Sequence, residues 1–281
     1  MTAIYKSEAG ADLLQSRYRQ VLDAWPVPAE RVRVPTREGE TFVLVSGPED
    51  APPLLLLHGS AGNAAMWRDD VAAWTRDFRT YAVDIIGEPG LSAPSRPPMD
   101  SGAYAAWLDD VLAALGLTAV SVAGISLGGW TALDYATRRP ERVTRLAVMC
   151  PGGVGRTKSG WLFKAVFLRL FGERGLRRSA REVAGLHGPG LESVLDDVVL
   201  TFRHFNPRTA RLPRFTDETL SGLTIPVLVI VGARDALFDS AETAERVRRC
   251  LPGARVRVLP GVGHSIFGQT DTVSDFLRER P

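Results

Sequence analysis

Val120-Ser121-Val122-Ala123-Gly124-Ile125-Ser126-Leu127-Gly128-Gly129-Trp130 decides the reading of this chain. A short strand-forming run enters Gly-x-Ser-x-Gly, and the residues beyond it, Leu127–Arg138, place apolar side chains at helical i, i+3 and i+4 spacings. A serine on so short a strand-to-helix link sits in a sharp turn that exposes its hydroxyl at the strand's C-terminal edge. Glycines two before and two after it leave room for neighbouring backbone, and Gly129 adds space for close helix packing. As a bare pattern the motif is weak, because small residues cluster by chance. The strand–turn–helix context turns it into a nucleophile elbow.

A serine hydroxyl is a poor nucleophile near neutral pH and needs a base, which in turn needs an orienting acid. The order Ser…Asp…His suits a serine placed this way. Asp235 follows the apolar run Pro226–Val231, and His264, in Gly261-Val262-Gly263-His264-Ser265, follows Arg255–Leu259. Both fall at C-terminal strand ends, the edge where open α/β sheets build their sites. Asp239, in the same loop as Asp235, is the second candidate acid. The chain has four histidines. His58 ends a strand and is read as an anchor for the loop after it, and His187 and His204 lie in a helical excursion. An oxyanion needs two backbone N–H donors. Leu127, the residue after the serine, and Ser60, in the loop after His58-Gly59, are the candidates.

Outward from the elbow, β-rich runs recur at Arg31–Pro35, Thr41–Ser46, Leu54–His58, Thr80–Ile85, Arg145–Cys150, Pro226–Val231 and Arg255–Leu259, besides Val120–Ala123. Arg37-Glu38-Gly39-Glu40 reads as a hairpin turn with Gly39 in the left-handed position. From the third run on, strands alternate with helical stretches at Ala64–Arg76, Ala103–Leu115, Leu127–Arg138, Ala241–Cys250 and Thr272–Arg280. That alternation predicts an α/β fold with a mostly parallel sheet and helices on both faces. Leu54-Leu55-Leu56-Leu57 suits a central strand buried on both sides. Between Val154 and Leu220 the alternation lapses into helical segments, Trp161–Leu170 and Leu191–Arg203, with turns at Gly172, Gly185 and Gly188-Pro189-Gly190. The expected organisation is a core over 1–153 and 221–281, with an N-terminal helical extension over 1–30 (its helix Asp12–Ala24), and a helical cap over 154–220.

Composition sets further bounds. With 281 residues, 45% hydrophobic and 23% charged, the chain can bury a substantial core without staples. Cys150 and Cys250 lie in separate elements and form neither a disulfide framework nor a metal-ligand cluster. No metal or organic cofactor is expected. No window approaches the ~20 apolar residues that span a bilayer, and Met1–Gln15 carries no signal-peptide run, so no membrane partner and a cytoplasmic setting are expected. The net charge of +2 gives no argument for nucleic acid as a partner. Residues 151–220 hold 12 Lys/Arg against 7 Asp/Glu. Arg174, Arg177, Arg178 and Arg181 share one helical face there, which reads as a solvated surface or as a means of steering an anionic substrate.

Taken together, the chain resembles the α/β-hydrolase superfamily over nearly its whole length, most closely its cap-bearing bacterial esterases and carbon–carbon-bond hydrolases. Asp84-Ile85-Ile86-Gly87-Glu88-Pro89-Gly90-Leu91-Ser92 resembles that family's D-x-x-G-x-G-x-S loop, with Glu88-Pro89 where many relatives have small or polar residues. The resemblance implies an eight-stranded sheet with its second strand antiparallel, and a triad of Ser126, Asp235 and His264. Serine at the nucleophile position, where an aspartate would suit dehalogenase or epoxide hydrolase chemistry, implies acyl transfer. The expectation is an enzyme that cleaves a carboxylic ester of a medium-sized, partly apolar small molecule through an acyl-enzyme. Thioesters and vinylogous diketo acids are alternatives, and a ligand-binding receptor or non-hydrolytic protein on the same fold is a reading of another class. Trp161, Leu162, Phe163, Phe167, Phe171, Phe202 and Phe205 are the apolar side chains available to build the cap and roof a pocket. Trp67 and Trp130 fit either pocket lining or core.

Overall fold

Four consecutive leucines suit only a strand with apolar neighbours on both faces. Pro53–Leu57 (β3) is that strand, and Leu54, Leu55, Leu56 and Leu57 are fully buried. The structure is a computed structural model that describes residues 4–160, 172–187 and 190–279. Around β3 run Ala29–Thr36 (β1), Gly39–Ser46 (β2), Arg79–Val83 (β4), Val120–Ile125 (β5), Val143–Met149 (β6), Val227–Gly232 (β7) and Arg255–Leu259 (β8). They form one eight-stranded sheet in the order β1-β2-β4-β3-β5-β6-β7-β8. β2 is antiparallel to both its neighbours, and every pair from β4 onward is parallel. The β1–β2 turn is tighter than the expected four residues. Thr36 pairs with Gly39 across Arg37-Glu38, and Gly39 takes the left-handed φ of +101°.

Successive strand residues point to opposite faces, so the sheet feeds two cores. Leu55, Leu57, Val83 and Val122 face Ala103–Ala114 (α3), Leu127–Arg138 (α4) and Ser240–Cys250 (α8). Leu54, Leu56, Ala82 and Ala123 face Glu8–Asp23 (α1), Arg68–Trp74 (α2) and Thr270–Arg278 (α9). The stretch expected as one helix over Ala64–Arg76 is a 3₁₀ turn, Ala64–Trp67, followed by α2, and Asn63 caps the turn by accepting the Ala65 N–H. Trp67 and Trp130 are buried in these two cores. Trp130 stacks on Phe215 and donates to the Pro213 carbonyl, and Trp67 packs against Trp74, so among the described residues both serve the core.

Between β6 and β7 the chain leaves the sheet. Gly172–Ala184 (α5) and Glu192–His204 (α6) pack on each other through Ala180, Leu186, Leu195 and Val199. The short Asp217–Ser221 (α7) then leads back to the sheet. α5 carries the arginine face expected to be helical, although its arginines leave too few apolar positions for apolar spacing to mark it. Arg177 pairs with Glu192 and Asp196, and Arg181 pairs with Glu192 at 2.7 Å. Half of the basic face is thus engaged between α5 and α6. The expected segment Trp161–Leu170, together with Phe171, lies outside the described residues. The N-terminal helix reaches both layers. Tyr18 donates to the buried Asp84 (2.9 Å), Arg17 pairs with Asp197 of α6 (2.5 Å), and Ile4 and Leu14 enclose Phe205. Phe205 therefore packs on the N-terminal segment and is no part of a roof. Among the described residues no helix is long and apolar enough to cross a membrane.

Candidate active site

Ser126 holds the elbow conformation at φ 53°, ψ −106°. A non-glycine residue there costs about 1–3 kcal/mol, which the surrounding hydrogen bonds offset. The Ser126 N–H donates to Met149 O at 2.9 Å, and its carbonyl accepts from Trp130 (2.9 Å) and Gly152 (3.2 Å). The glycines are demanded by contact. A Cβ on Gly124 would stand 2.5 Å from Gly128 O, and one on Gly128 would run into the carbonyls of Leu57 and His58. α4 can therefore start directly against the end of β3.

The loops after β7 and β8 bring the other two residues to the same edge. Asp235 accepts the His264 Nδ1–H at 2.8 Å, and His264 Nε2 accepts the Ser126 hydroxyl at 2.9 Å. An ionised carboxylate only accepts, so the proton must sit on Nδ1, and Nε2 is left with its lone pair toward the serine. The second Asp235 oxygen accepts the N–H groups of Leu237 (2.7 Å) and Phe238 (3.1 Å). Burial pushes the Asp235 carboxyl up, but the hydrogen bonds from His264 and these amides outweigh it and hold the group below the usual carboxylate range. Asp239 serves elsewhere: it caps α8 by accepting the Glu242 N–H. Phe238 packs edge-on against the His264 ring, with centroids 5.4 Å apart.

Two further contacts were not legible in the sequence. The Cys150 thiol, fully buried on a residue with φ 43°, donates to the His264 carbonyl at 3.1 Å, and Lys158 donates to the Asp235 carbonyl at 2.8 Å. Among the described residues one group of three metal-ligand side chains converges, Cys150 with Asp235 and His264. Its donors are already committed: burial raises the Cys150 thiol well above its ordinary range, and the other two bond each other. A thiol held protonated is a poor metal ligand.

The loop after β3 completes the edge. His58 is fully buried and accepts the Ile85 N–H at Nε2 (2.9 Å), so its Nδ1–H donates to Gly59 O (2.8 Å). Burial lowers its pKa to about 4. It is a neutral anchor, as expected. Gly59 lies against the serine, since a Cβ built there would be 3.6 Å from Ser126 Cβ. Ser60 follows, exposed, and Leu127 opens the first turn of α4, where amides have no intrahelical acceptor. Asp84 ties the next loop down, accepting from Tyr18, Ala64 and Leu91, and Ser92 donates to the Asp84 carbonyl at 2.6 Å. Glu88 turns inward and is fully buried.

The comparisons with known proteins place the chain in a family. The profile of the alpha/beta hydrolase family matches residues 54–276. Carboxylesterase YbfK of Bacillus subtilis is 35% identical over 264 residues, covering 92% of this chain and 88% of the relative. Its crystal structure, as carboxylesterase CesB (YbfK), matches with a TM-score of 0.83 over 96% of this chain and 97% of that one. The crystal structure of naproxen esterase (carboxylesterase NP) from Bacillus subtilis matches with a TM-score of 0.80 at 30% identity, over 93% of this chain and 94% of that one. The hydrolase BphD of Rhodococcus sp. strain RHA1, which acts on 2-hydroxy-6-oxo-6-phenylhexa-2,4-dienoate, shares the fold at 21% identity and a TM-score of 0.72, over 90% of this chain and 100% of that one.

Proposed function

The chain belongs to the alpha/beta hydrolase family, and from that premise we propose that it is a carboxylesterase working through Ser126, His264 and Asp235. The observation that carries the reading is the continuous relay from Ser126 Oγ to His264 Nε2 (2.9 Å) and from His264 Nδ1 to Asp235 (2.8 Å). Likeness to two Bacillus carboxylesterases supports the ester as substrate.

In this mechanism Ser126 Oγ attacks the ester carbonyl as His264 Nε2 takes its proton, and Asp235 stabilises the imidazolium and keeps its tautomer. The oxyanion is met by the N–H groups of Ser60 and Leu127, a site in which each donor is worth roughly 3–4 kcal/mol of transition-state stabilisation. Collapse breaks the bond to the leaving alkoxide oxygen, which leaves as alcohol with the proton from His264. Water, deprotonated by the same nitrogen, then attacks the acyl-enzyme, releasing the carboxylic acid and restoring Ser126. No step requires a metal or organic cofactor. The described part of the excursion between β6 and β7 reaches this edge at Gly185, which lies against Gly263 and His264, and this supports its reading as a cap and a medium-sized, partly apolar acyl group as the substrate. α5 ends at the site, where Ser265, next to His264, donates to Ala184 O at 2.8 Å. The buried free thiols Cys150 and Cys250 support a reducing, cytoplasmic setting.

Intact mass after treatment with a fluorophosphonate tests the assignment. One stoichiometric adduct on the parent and none on Ser126→Ala is the expected result. An unlabelled, folded parent removes the serine mechanism. A panel of esters, thioesters and diketo acids on the labelled-competent protein then ranks the substrate classes, with esters expected first.

A further inference from the structure

Glu88 departs from the usual small or polar residue in its loop, and the structure gives its carboxylate two jobs. One oxygen accepts from Arg208 Nε at 2.7 Å. The other accepts the Ala61 N–H at 2.7 Å, with the Ser60 hydroxyl at a longer 3.4 Å. Arg208, its side chain 9% exposed against 0% for Glu88, comes from the segment returning from α6 to the sheet. It also donates to Ile86 O (2.7 Å) and lies over the Tyr104 ring, 5.4 Å from its centroid. A buried carboxylate needs such partners. A simple brace between two segments would need only the Arg208 side of this arrangement.

The Ala61 side points to a further role. Ala61 sits at φ 58°, a left-handed conformation that costs an L-residue roughly 1–2 kcal/mol. Its amide is the peptide directly after Ser60. On the other flank, Gly59 packs against Ser126, and its carbonyl accepts the Gly62 N–H at 3.2 Å. The Ser60 peptide is thus held between Gly59 and an amide that ends on Glu88. We infer that Glu88 is a positioning residue for the oxyanion-binding N–H of Ser60, held in place by Arg208 so that the segment returning from the cap helps to set the oxyanion site. The inference rests on the serine mechanism proposed above and on Ser60 as a donor.

The test separates an acceptor at position 88 from the ion pair itself. Replacing a buried pair by neutral or apolar groups of similar volume is often near-neutral for stability, so two double variants are compared, Glu88→Gln/Arg208→Met and Glu88→Met/Arg208→Met. The first keeps an oxygen for the Ala61 N–H and the second does not. The expected result is a kcat ten- to a hundred-fold lower in the Met/Met protein than in the Gln/Met protein, with KM within about three-fold and phosphonylation slowed in parallel. Equal kcat in the two, or a change confined to KM, overturns the inference and leaves the pair a structural brace. Glu88→Leu/Arg208→Met gives the same comparison if the Met/Met protein does not fold. A folded parent that takes up no fluorophosphonate overturns the serine mechanism itself. A Ser60→Pro protein with undiminished kcat removes only the Ser60 assignment and this inference with it.

Discussion

The Asp235 carboxylate accepts three hydrogen bonds, one of them from His264 at 2.8 Å, whereas that of Asp239, four residues on, caps α8. The two carboxylates should therefore part on mutation. Asp235→Asn can present an N–H to the imidazole and favour the wrong tautomer, so kcat should fall by about 10⁴ with little change in fold. Asp239→Ala should keep kcat within a few-fold and cost about 1 kcal/mol of stability through the lost cap. Steady-state kinetics beside urea melts decide it, and comparable kcat losses in both would refute the assignment.

The oxyanion reading of Ser60 concerns its amide and leaves its hydroxyl dispensable. Ser60→Ala keeps the N–H and should hold kcat within about five-fold. Ser60→Pro removes the donor and should lower kcat by roughly 10²–10³. A Ser60→Ala protein as damaged as Ser60→Pro would instead give the hydroxyl the leading part.

Gly128 meets the carbonyl end of β3 so closely that a methyl group there overlaps the Leu57 and His58 oxygens. Backbone on both sides leaves no flexible side chain to yield. Gly128→Ala should cost more than about 3 kcal/mol, or prevent folding, by this overpacking. Thermal melting checks it, and a loss below 1 kcal/mol would mean that α4 can slide along the sheet.

His58 adds a pH dependence of stability. Its folded pKa, about 4, lies below the ordinary 6.5, so the unfolded chain binds more protons between these values. The stability that neutral His58 supports is present above pH 6.5 and is lost as pH falls through 4. From pH 8 to pH 5 this amounts to about 2 kcal/mol. Urea melts at the two pH values should show the difference in the parent, and a smaller one in His58→Gln, whatever that variant's absolute stability.

The sequence by itself determined what depends on near neighbours in the chain. The all-leucine run of β3, the apolar runs that became β7 and β8, and the helical spacing of α4 follow from local periodicity. The glycines around Ser126 follow from a turn that only small residues permit. Because each of Ser126, Asp235 and His264 ends or follows a strand, parallel strands in one sheet must bring all three to one edge. The ends of elements were less legible: α1 begins at Glu8, four residues before the expected Asp12, and α5, with few apolar positions, was marked only by the spacing of its arginines.

Tertiary structure alone decided which distant groups meet. Glu88 stands 27 residues from Ala61 and 120 from Arg208, and Cys150 stands 114 from His264. Nothing in their local sequence favours these partners over others. Trp67 and Trp130 show the same limit, since an aromatic residue on an amphipathic stretch has one periodicity whether it faces a core or a pocket. Burial of the whole sheet settles such choices: once its two faces are packed, each buried polar group must find its partner among whatever the fold has placed beside it.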